Sequence, residues 1–184
     1  RDYDIKTPIA LIPNGININE FNNYKSKNIC KANLNLDTDK QYILFMSRIH
    51  PRKGLDYLVN AWIKIAKLKN NWDLLIVGPV YNKKYNENIL KKIKINNLSH
   101  RVHVKGLLDG QERLDAFAAS SLFVLPTHSE NFGIAIAEAM ASKLPVITTH
   151  GTPWQDLEIH NAGWWVKLEE KNIDNSLHEA VNLE

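Results

Sequence analysis

The sequence has little cysteine: Cys30 is the only one in 184 residues. A single thiol can form neither an internal disulfide nor a zinc cluster of several cysteines, and such scarcity is typical of a reducing compartment. No apolar run approaches the roughly 18 residues that a membrane-spanning helix needs, and the first residues do not resemble a secretory signal. We therefore expect a soluble, cytoplasmic protein.

A strong excess of one charge sign is also missing, because 23 Lys and Arg residues stand against 20 Asp and Glu residues. A net charge of +3 is too small to indicate a nucleic-acid partner, although a local basic site for a small anion is compatible with it. The sequence contains neither a G-x-G-x-x-G motif nor a Walker-type phosphate loop. These absences disfavour a dinucleotide oxidoreductase and a P-loop NTPase.

Short apolar runs of strand length alternate with helical patterns along the chain. This alternation predicts an α/β fold, a Rossmann-like doubly wound parallel sheet of about six strands with helices on both faces. We expect one domain over residues 1–184, in which 1–15 form a linker and a leading strand, and we expect the chain to be a fragment of a longer protein. The predicted strands are 42–46, 72–77, 102–104, 122–125, 146–148 and 164–166. The predicted helices are 55–67, 84–95, 111–119, 131–142, one capped by Thr152-Pro153, and 173–181.

In such sheets the ligand binds beyond the carboxyl ends of the strands, which directs attention to the loops 47–54, 126–133 and 149–154. The first loop carries three cations, Arg48, Arg52 and Lys53, directly before a helix. Guanidinium and ammonium groups beside the free amides of a helix start suit a diphosphate. The alternative is that these are solvated loop charges.

The second loop leads into a helix with two carboxylates, Glu130 before the helix and Glu138 two turns into it. Glu130 is placed to accept hydrogen bonds from sugar hydroxyls, and the amides of 131–134 suit a phosphate or a developing negative charge. Glu138 lies among apolar residues and therefore needs a polar partner. A ribose diol would be one; the alternatives are a buried ion pair and an exposed position.

Together the two loops, an Arg-x4-Lys-Gly pattern and a Glu-x7-Glu pattern, resemble the donor-binding C-terminal domain of retaining glycosyltransferase family four, which has the GT-B fold. Further segments match that family in the expected order. They are 12–16 (Ile-Pro-Asn-Gly-Ile), 77–79, 102–106, 125–133, 145–147 and 151–154.

The resemblance implies a role for each matched residue. Arg48 and Lys53 would bind the diphosphate of the donor and Glu130 the hydroxyls of the transferred sugar, and these three form the catalytic set. The expected donor-binding residues are Gly106 near the base, Glu138 on the ribose, and Asn131, Phe132, Gly133 and Ile134 along the sugar and phosphate.

The resemblance also implies the partners. The donor is a nucleoside-diphosphate sugar such as a UDP- or GDP-sugar, with no cofactor and no metal required. The acceptor, a sugar or a lipid-linked sugar as in polysaccharide biosynthesis, is bound mainly by an N-terminal domain that this chain lacks. We expect the fragment to be inactive alone, with no nucleic-acid partner, and the full-length enzyme is compatible with peripheral association at the inner face of the membrane.

Two other functions stay open from the sequence, a non-catalytic nucleotide-binding GT-B module and a nucleotide-sugar epimerase on the same fold. The chain departs from the family at Lys143, where glycine is frequent. If the backbone there is left-handed, lysine costs about 1 kcal/mol relative to glycine. Four histidines near strand ends (His50, His103, His128 and His150) match no metal-ligand spacing, and we interpret them as loop or packing residues.

Overall fold

The computed structural model describes residues 7–8, 10, 12, 14–22 and 25–183. The predicted linker and leading strand over 1–15 therefore lie partly outside the described residues, and the 12–16 segment is described only at Ile12 and from Asn14 to Ile16.

Strands and helices alternate along most of the chain. The strands are β1 (Gln41–Met46), β2 (Trp72–Val77), β3 (Val102–Val104), β4 (Leu122–Leu125), β5 (Val146–Thr149) and β6 (Gly163–Val166). The helices are α1 (Lys27–Asn33), α2 (Leu55–Ile65), α3 (Lys83–Ile95), α4 (Gly110–Ala119), α5 (Ile134–Ala141), α6 (Asp156–Ile159) and α7 (Glu170–Ala180). Short 3-10 helices cover Ile18–Phe21, Pro51–Lys53 and Ser99–Arg101.

The six strands form one sheet in the order β3-β2-β1-β4-β5-β6, and every pairing in it is parallel. The predicted fold class is therefore confirmed. Because the strand order reverses between β1 and β4, loops that leave these two strands diverge and open a crevice at their carboxyl ends.

The central strands are mostly apolar because helices cover both faces of the sheet. β2 is buried at every position, including the charged Asp73. The core contains large side chains that are almost completely buried, namely Trp62, Tyr42, Phe45, Phe117 and Phe123.

Most predicted boundaries agree with the structure, and the differences have local causes. Strands 72–77, 102–104 and 122–125 match to the residue. The helix predicted over 131–142 begins only at Ile134, because Gly133 has a left-handed backbone (φ +84°). Thr152 does not cap a helix: its hydroxyl donates to the carbonyl of Thr149 (2.9 Å), and α6 begins at Asp156.

The remaining helices differ at their ends. The helix predicted over 55–67 stops at Ile65, and the last helix begins at Glu170, three residues before its predicted start. Helix α1 was not expected, because its sequence is mostly polar and only Cys30 and Lys31 are buried. Lys143 does adopt the left-handed conformation considered above, with φ +60°.

Candidate active site

A cavity of about 770 Å³ opens beyond the carboxyl ends of β1 and β4, where the strand order reverses. Two of the three expected loops supply most of its wall: 47–54 with Ser47, Arg48, His50, Arg52 and Lys53, and 126–133 with Ser129, Glu130, Asn131, Phe132 and Gly133. Asn14 and Tyr81 complete the rim together with the first residues of α5.

The two loops are fixed against each other by their backbones. The carbonyl of Arg52 accepts hydrogen bonds from the amide of His128 (2.9 Å) and from the hydroxyl of Thr127 (3.0 Å). Gly54 is left-handed (φ +68°), and a β-carbon at this position would overlap the carbonyl oxygen of Pro126. Only glycine allows this approach, so Gly54 is what lets the two loops meet.

Lys53 and Glu130 form an ion pair across the cavity wall, in which Nζ of Lys53 donates to Oε1 of Glu130. Lys53 ends the 3-10 helix Pro51–Lys53, whose first turn is capped by Nδ1 of His50, the acceptor for the amide of Arg52 (3.1 Å). The pair is mostly buried, with 10% and 18% of the two side chains exposed. The loops therefore present one ammonium and one carboxylate at the same point.

Arg48 lies further along the wall, with its guanidinium 5.2 Å from the centre of the Tyr81 ring. The backbone of the Tyr81 segment is held to the first loop, since the amides of Tyr81 (3.1 Å) and Asn82 (3.2 Å) both donate to the carbonyl of Ile49. A guanidinium over an aromatic face is attracted to the ring, and because the ring is neutral the guanidinium keeps its full positive charge. Tyr81, in the loop after β2, thus orients Arg48, which lies in the loop after β1.

The start of α5 forms the floor of the cavity. The backbone amides of Ile136 (2.9 Å) and Ala137 (3.3 Å) donate to the carbonyl of Gly133 and form the first hydrogen bonds of the helix. The amides of Ile134 and Ala135 come before these bonds in the chain. Free amides and the positive end of the helix dipole favour an anion there.

The third expected loop, 149–154, supports the second and is absent from the described cavity wall. The amide of Glu130 donates to the carbonyl of Gly151 (2.8 Å), and the indole of Trp154 donates to the carbonyl of Phe132. The rings of Trp154 and Phe132 are also in contact, with centroids 5.2 Å apart. This loop therefore fixes the position of Glu130 and of the residues before α5.

Glu138 and Gly106 lie outside the cavity wall. Glu138 is paired with Arg113 of α4, which also contacts Glu20 (3.4 Å) and lies over the ring of Phe21 (5.9 Å). Burial raises the pKa of Glu138, and the charge of Arg113 opposes that rise. Of the partners considered from the sequence, the structure contains the ion pair.

Gly106 lies in the loop after β3, where its carbonyl accepts a hydrogen bond from the amide of Gly78 (2.6 Å). The expected site residues thus divide into two groups. Seven share the cavity wall (Arg48, Lys53, Glu130, Asn131, Phe132, Gly133 and Ile134), and two do not (Gly106 and Glu138).

Comparison with known proteins decides the family. The sequence model described as "Glycosyl transferases group 1" matches residues 26–183. The chain belongs to this family. It is 31% identical over 198 residues to a probable sucrose-phosphate synthase of Thermosipho melanesiensis, covering 98% of this chain and 42% of that protein. It is 30% identical over 145 residues to a D-inositol 3-phosphate glycosyltransferase of Streptomyces scabiei, covering 76% of this chain and 32% of that protein.

The fold of this group 1 chain is that of solved GT-B glycosyltransferase structures. The crystal structure of Anabaena HepE in complex with UDP-glucose superposes with a TM-score of 0.78 at 23% identity, covering 92% of this chain and 46% of that one. The group 1 chain spans less than half the length of each of these relatives.

The histidines of the group 1 chain are dispersed. His103 bonds Asp73 (2.9 Å), His150 packs on Trp165, His128 packs on Tyr57, and only His50 of the four lines the cavity. Within the described ranges no three His, Cys, Asp or Glu side chains are grouped so that they could hold a metal ion. The same ranges contain no helix that is long and apolar enough to cross a membrane.

Sequence reasoning missed Tyr81 in the cavity wall and Arg113, the partner of Glu138 outside that wall. Tyr81 could have been found, because it follows the Gly78-Pro79 stop at the carboxyl end of β2, the edge where ligands bind. Arg113 could not, because it lies 25 residues from Glu138 on another helix and no local pattern connects them.

Proposed function

We propose that this group 1 chain is the donor-binding half of a retaining family-four glycosyltransferase, which transfers a sugar from a nucleoside diphosphate to an acceptor. The observation that carries the proposal is the meeting of Lys53 with Glu130 in a cavity that also contains Arg48, at the reversal of strand order. The cavity wall then has cations that can bind a diphosphate and a carboxylate that can bind hydroxyl groups. A sugar nucleotide contains both of these groups.

The cations are the proposed catalytic element. When the bond from the sugar to the diphosphate breaks, negative charge accumulates on the departing phosphate oxygens. Arg48 and Lys53, fixed in place before the reaction, stabilise that charge, and the first amides of α5 add to it. This assignment needs no metal, because the protein itself supplies the positive charge.

The carboxylates are the proposed orienting elements. Glu130 accepts hydrogen bonds from hydroxyls of the sugar and so aligns the carbon that is attacked. Glu138 accepts from the ribose, with Arg113 holding its carboxylate, and Gly106 lies near the base. The complex of Anabaena HepE with UDP-glucose supports a uridine diphosphate sugar as one candidate donor.

The acceptor and the transfer itself depend on parts outside this chain. Because the chain spans less than half the length of the two curated relatives described above, we propose that a preceding domain binds the acceptor, and that this fragment binds nucleotide but does not turn it over alone.

Binding of nucleotide to the 184-residue chain tests the donor site. The melting temperature is measured with UDP, GDP, ADP and their glucose conjugates. A ligand at a hundred times its Kd stabilises the native state by about 2.7 kcal/mol, which is roughly 5–10 °C for a domain of this size. We expect one nucleotide to produce this shift.

Two variants locate the binding. Arg48→Ala should abolish the shift, whereas Lys91→Ala, a change of an exposed lysine on α3, should leave it intact. No shift with any nucleotide, or an equal shift in Arg48→Ala, would contradict the proposed donor site.

Retention is tested on the protein that includes the acceptor domain. With UDP-α-glucose as donor, the anomeric coupling constant of the product in NMR spectra should be that of an α-glycoside. A β-glycoside would show an inverting enzyme, and a free epimerised nucleotide sugar would show an epimerase.

A further inference from the structure

A second cavity, of about 420 Å³, lies at the opposite end of the sheet from the cavity beyond β1 and β4, which we call the donor cavity after its proposed function. It is bordered by the first residue of β1, by the residues just before β4 and by the residues just after α5. We call it the lysine pocket, after the residues that dominate its wall: Lys25, Lys27 and Lys143, with Ser121, Ser142 and Gln41.

The described wall of the lysine pocket contains three cations and no carboxylate. Nζ of Lys27 donates to the hydroxyl of Ser121 (2.7 Å), a neutral partner that leaves the positive charge uncompensated. Burial of the ammonium group, followed by the charge of Lys31, lowers the pKa of Lys27. Among the described ion pairs, none includes a lysine of this pocket.

Asp115 lies outside the wall of the lysine pocket and is a carboxylate on which the charge of Lys25 acts. Its two oxygens accept hydrogen bonds from the amides of Asn33 (2.6 Å) and Gln111 (2.8 Å). These amides are neutral, so Asp115 offsets part of the charge of Lys25, while the described wall of the pocket itself contains three ammonium groups and no carboxylate.

Lys143 is in addition conformationally strained. The other described non-glycine residues with positive φ are Asn35, Asn97 and Asn161, and asparagine tolerates this conformation better than other side chains. Lysine has no such advantage. The left-handed backbone at Lys143 ends α5, where the amide of Leu144 donates to the carbonyl of Ala139 (3.0 Å), and it fixes where the lysine leaves the helix.

We propose that the lysine pocket binds the phosphate group of a small molecule, at a site separate from the donor cavity. Three ammonium groups and the hydroxyl of Ser121, which accepts from Lys27 and can still donate, provide donors of the kind that phosphate oxygens accept. The volume lies at the lower end of the range for small-molecule sites, which fits a phosphorylated metabolite or a headgroup and not a dinucleotide.

The test is a titration of the isotopically labelled chain with inorganic phosphate and with pyrophosphate, followed by amide NMR. We expect saturable shifts at Ser121, Ser142 and Lys143. Lys27→Met and Lys143→Gly should each raise the Kd about tenfold, the loss expected for one charge-assisted contact. Lys91→Ala, which removes an exposed lysine of α3, should leave the Kd unchanged.

Lys143→Gly has a second readout that guards against misfolding. Glycine relieves the left-handed strain, so this variant should melt at a higher temperature while it binds phosphate more weakly. A higher melting temperature together with a weaker phosphate affinity would show that Lys143 contributes to binding and not to folding. A higher melting temperature with unchanged phosphate affinity would overturn the proposal.

The source of the phosphate and the independence of the site are resolved by two further measurements. Binding to phosphatidylglycerol vesicles but not to phosphatidylcholine vesicles, lost in Lys27→Met, would assign the phosphate to a lipid headgroup. Arg48→Ala should remove shifts at the donor cavity and leave those at Ser121 and Lys143. Shifts that fail to saturate, or that disappear in Arg48→Ala, would overturn a separate site.

Discussion

Glu130 holds the ammonium of Lys53 although the two residues are 77 positions apart in the sequence. Each comes from a loop that follows a central strand, and the pair is mostly buried in the wall of the donor cavity. A ligand diphosphate at this wall must share Lys53 with a carboxylate that is already there. If the proposed function holds, the pair sets how strongly the site attracts phosphate.

Removing either partner of this pair should change UDP affinity in opposite directions. Glu130→Gln removes both a competitor for Lys53 and a negative charge near the diphosphate, so UDP should bind about three- to tenfold more tightly. Lys53→Met removes a charge-assisted contact and should weaken UDP about tenfold or more. Isothermal titration calorimetry measures both, with Glu158→Gln on α6 as an exposed control. Changes of the same sign in the two variants would contradict competition for Lys53.

The pairing of Arg113 with Glu138 predicts a pH dependence of stability. Burial raises the pKa of Glu138 above its ordinary 4.5, so between that value and the folded pKa the native state binds more protons than the unfolded state. Stability contributed by this group therefore falls as pH rises through that window. Without Arg113 the pKa rises further, which widens the window and enlarges the loss at neutral pH.

Arg113→Met should accordingly lower the free energy of unfolding by about 1–3 kcal/mol at pH 7, and by much less below pH 4.5. Urea unfolding across this pH range measures the effect. The double variant Arg113→Met/Glu138→Gln has no carboxylate at position 138 and should recover the stability that Arg113→Met loses at pH 7. An equal loss at both ends of the range would assign the effect of Arg113→Met to packing alone.

Tyr81 should contribute to donor binding through Arg48. A cation over an aromatic face contributes about 0.5–1 kcal/mol at an exposed site, which is roughly a two- to fivefold change in Kd. Tyr81→Leu should weaken UDP binding by this factor, whereas Tyr81→Phe keeps the ring and should bind as the unchanged chain does. In an Arg48→Ala background, Tyr81→Leu should not weaken UDP binding further. If it weakens UDP binding there by the same factor, Tyr81 contacts the ligand directly and does not act through Arg48.

The fold was readable from the sequence where one local rule decided the structure. Parallel strands covered on both faces give mostly apolar runs, which is why the predicted strands 122–125 and, despite Asp73, 72–77 match the structure to the residue. The start of α5 was misplaced because the apolar pattern continues through a left-handed glycine, Gly133, whose conformation no periodicity reveals. Helix α1 was missed because most of its side chains face solvent.

The site was readable only in outline. The rule that ligands bind at the carboxyl ends of strands brought loops 47–54 and 126–133 together, as the structure does. The same rule also selected loop 149–154, which does not line the cavity but accepts a hydrogen bond from the amide of Glu130. Contacts between distant helices, such as Arg113 with Glu138, depend on side-chain packing that no local pattern encodes. The buried guanidinium of Arg101, which donates to Asp73 (3.1 Å) and to three backbone carbonyls, is another example.

Gly54 tests whether the approach of the two loops creates the donor site. Gly54→Ala adds a left-handed penalty of about 1 kcal/mol and forces a β-carbon against the carbonyl of Pro126, which is rigid backbone. We expect a loss of about 2–4 kcal/mol in the free energy of unfolding together with loss of UDP binding, because the loops must separate.

Gly110→Ala is the matched control: its φ is also positive (+47°), but nothing lies within 4 Å of the added carbon. It should cost only the conformational penalty and keep UDP affinity. If Gly54→Ala loses no more stability than Gly110→Ala and still binds UDP, the close contact at Pro126 is not what holds Lys53 and Glu130 together.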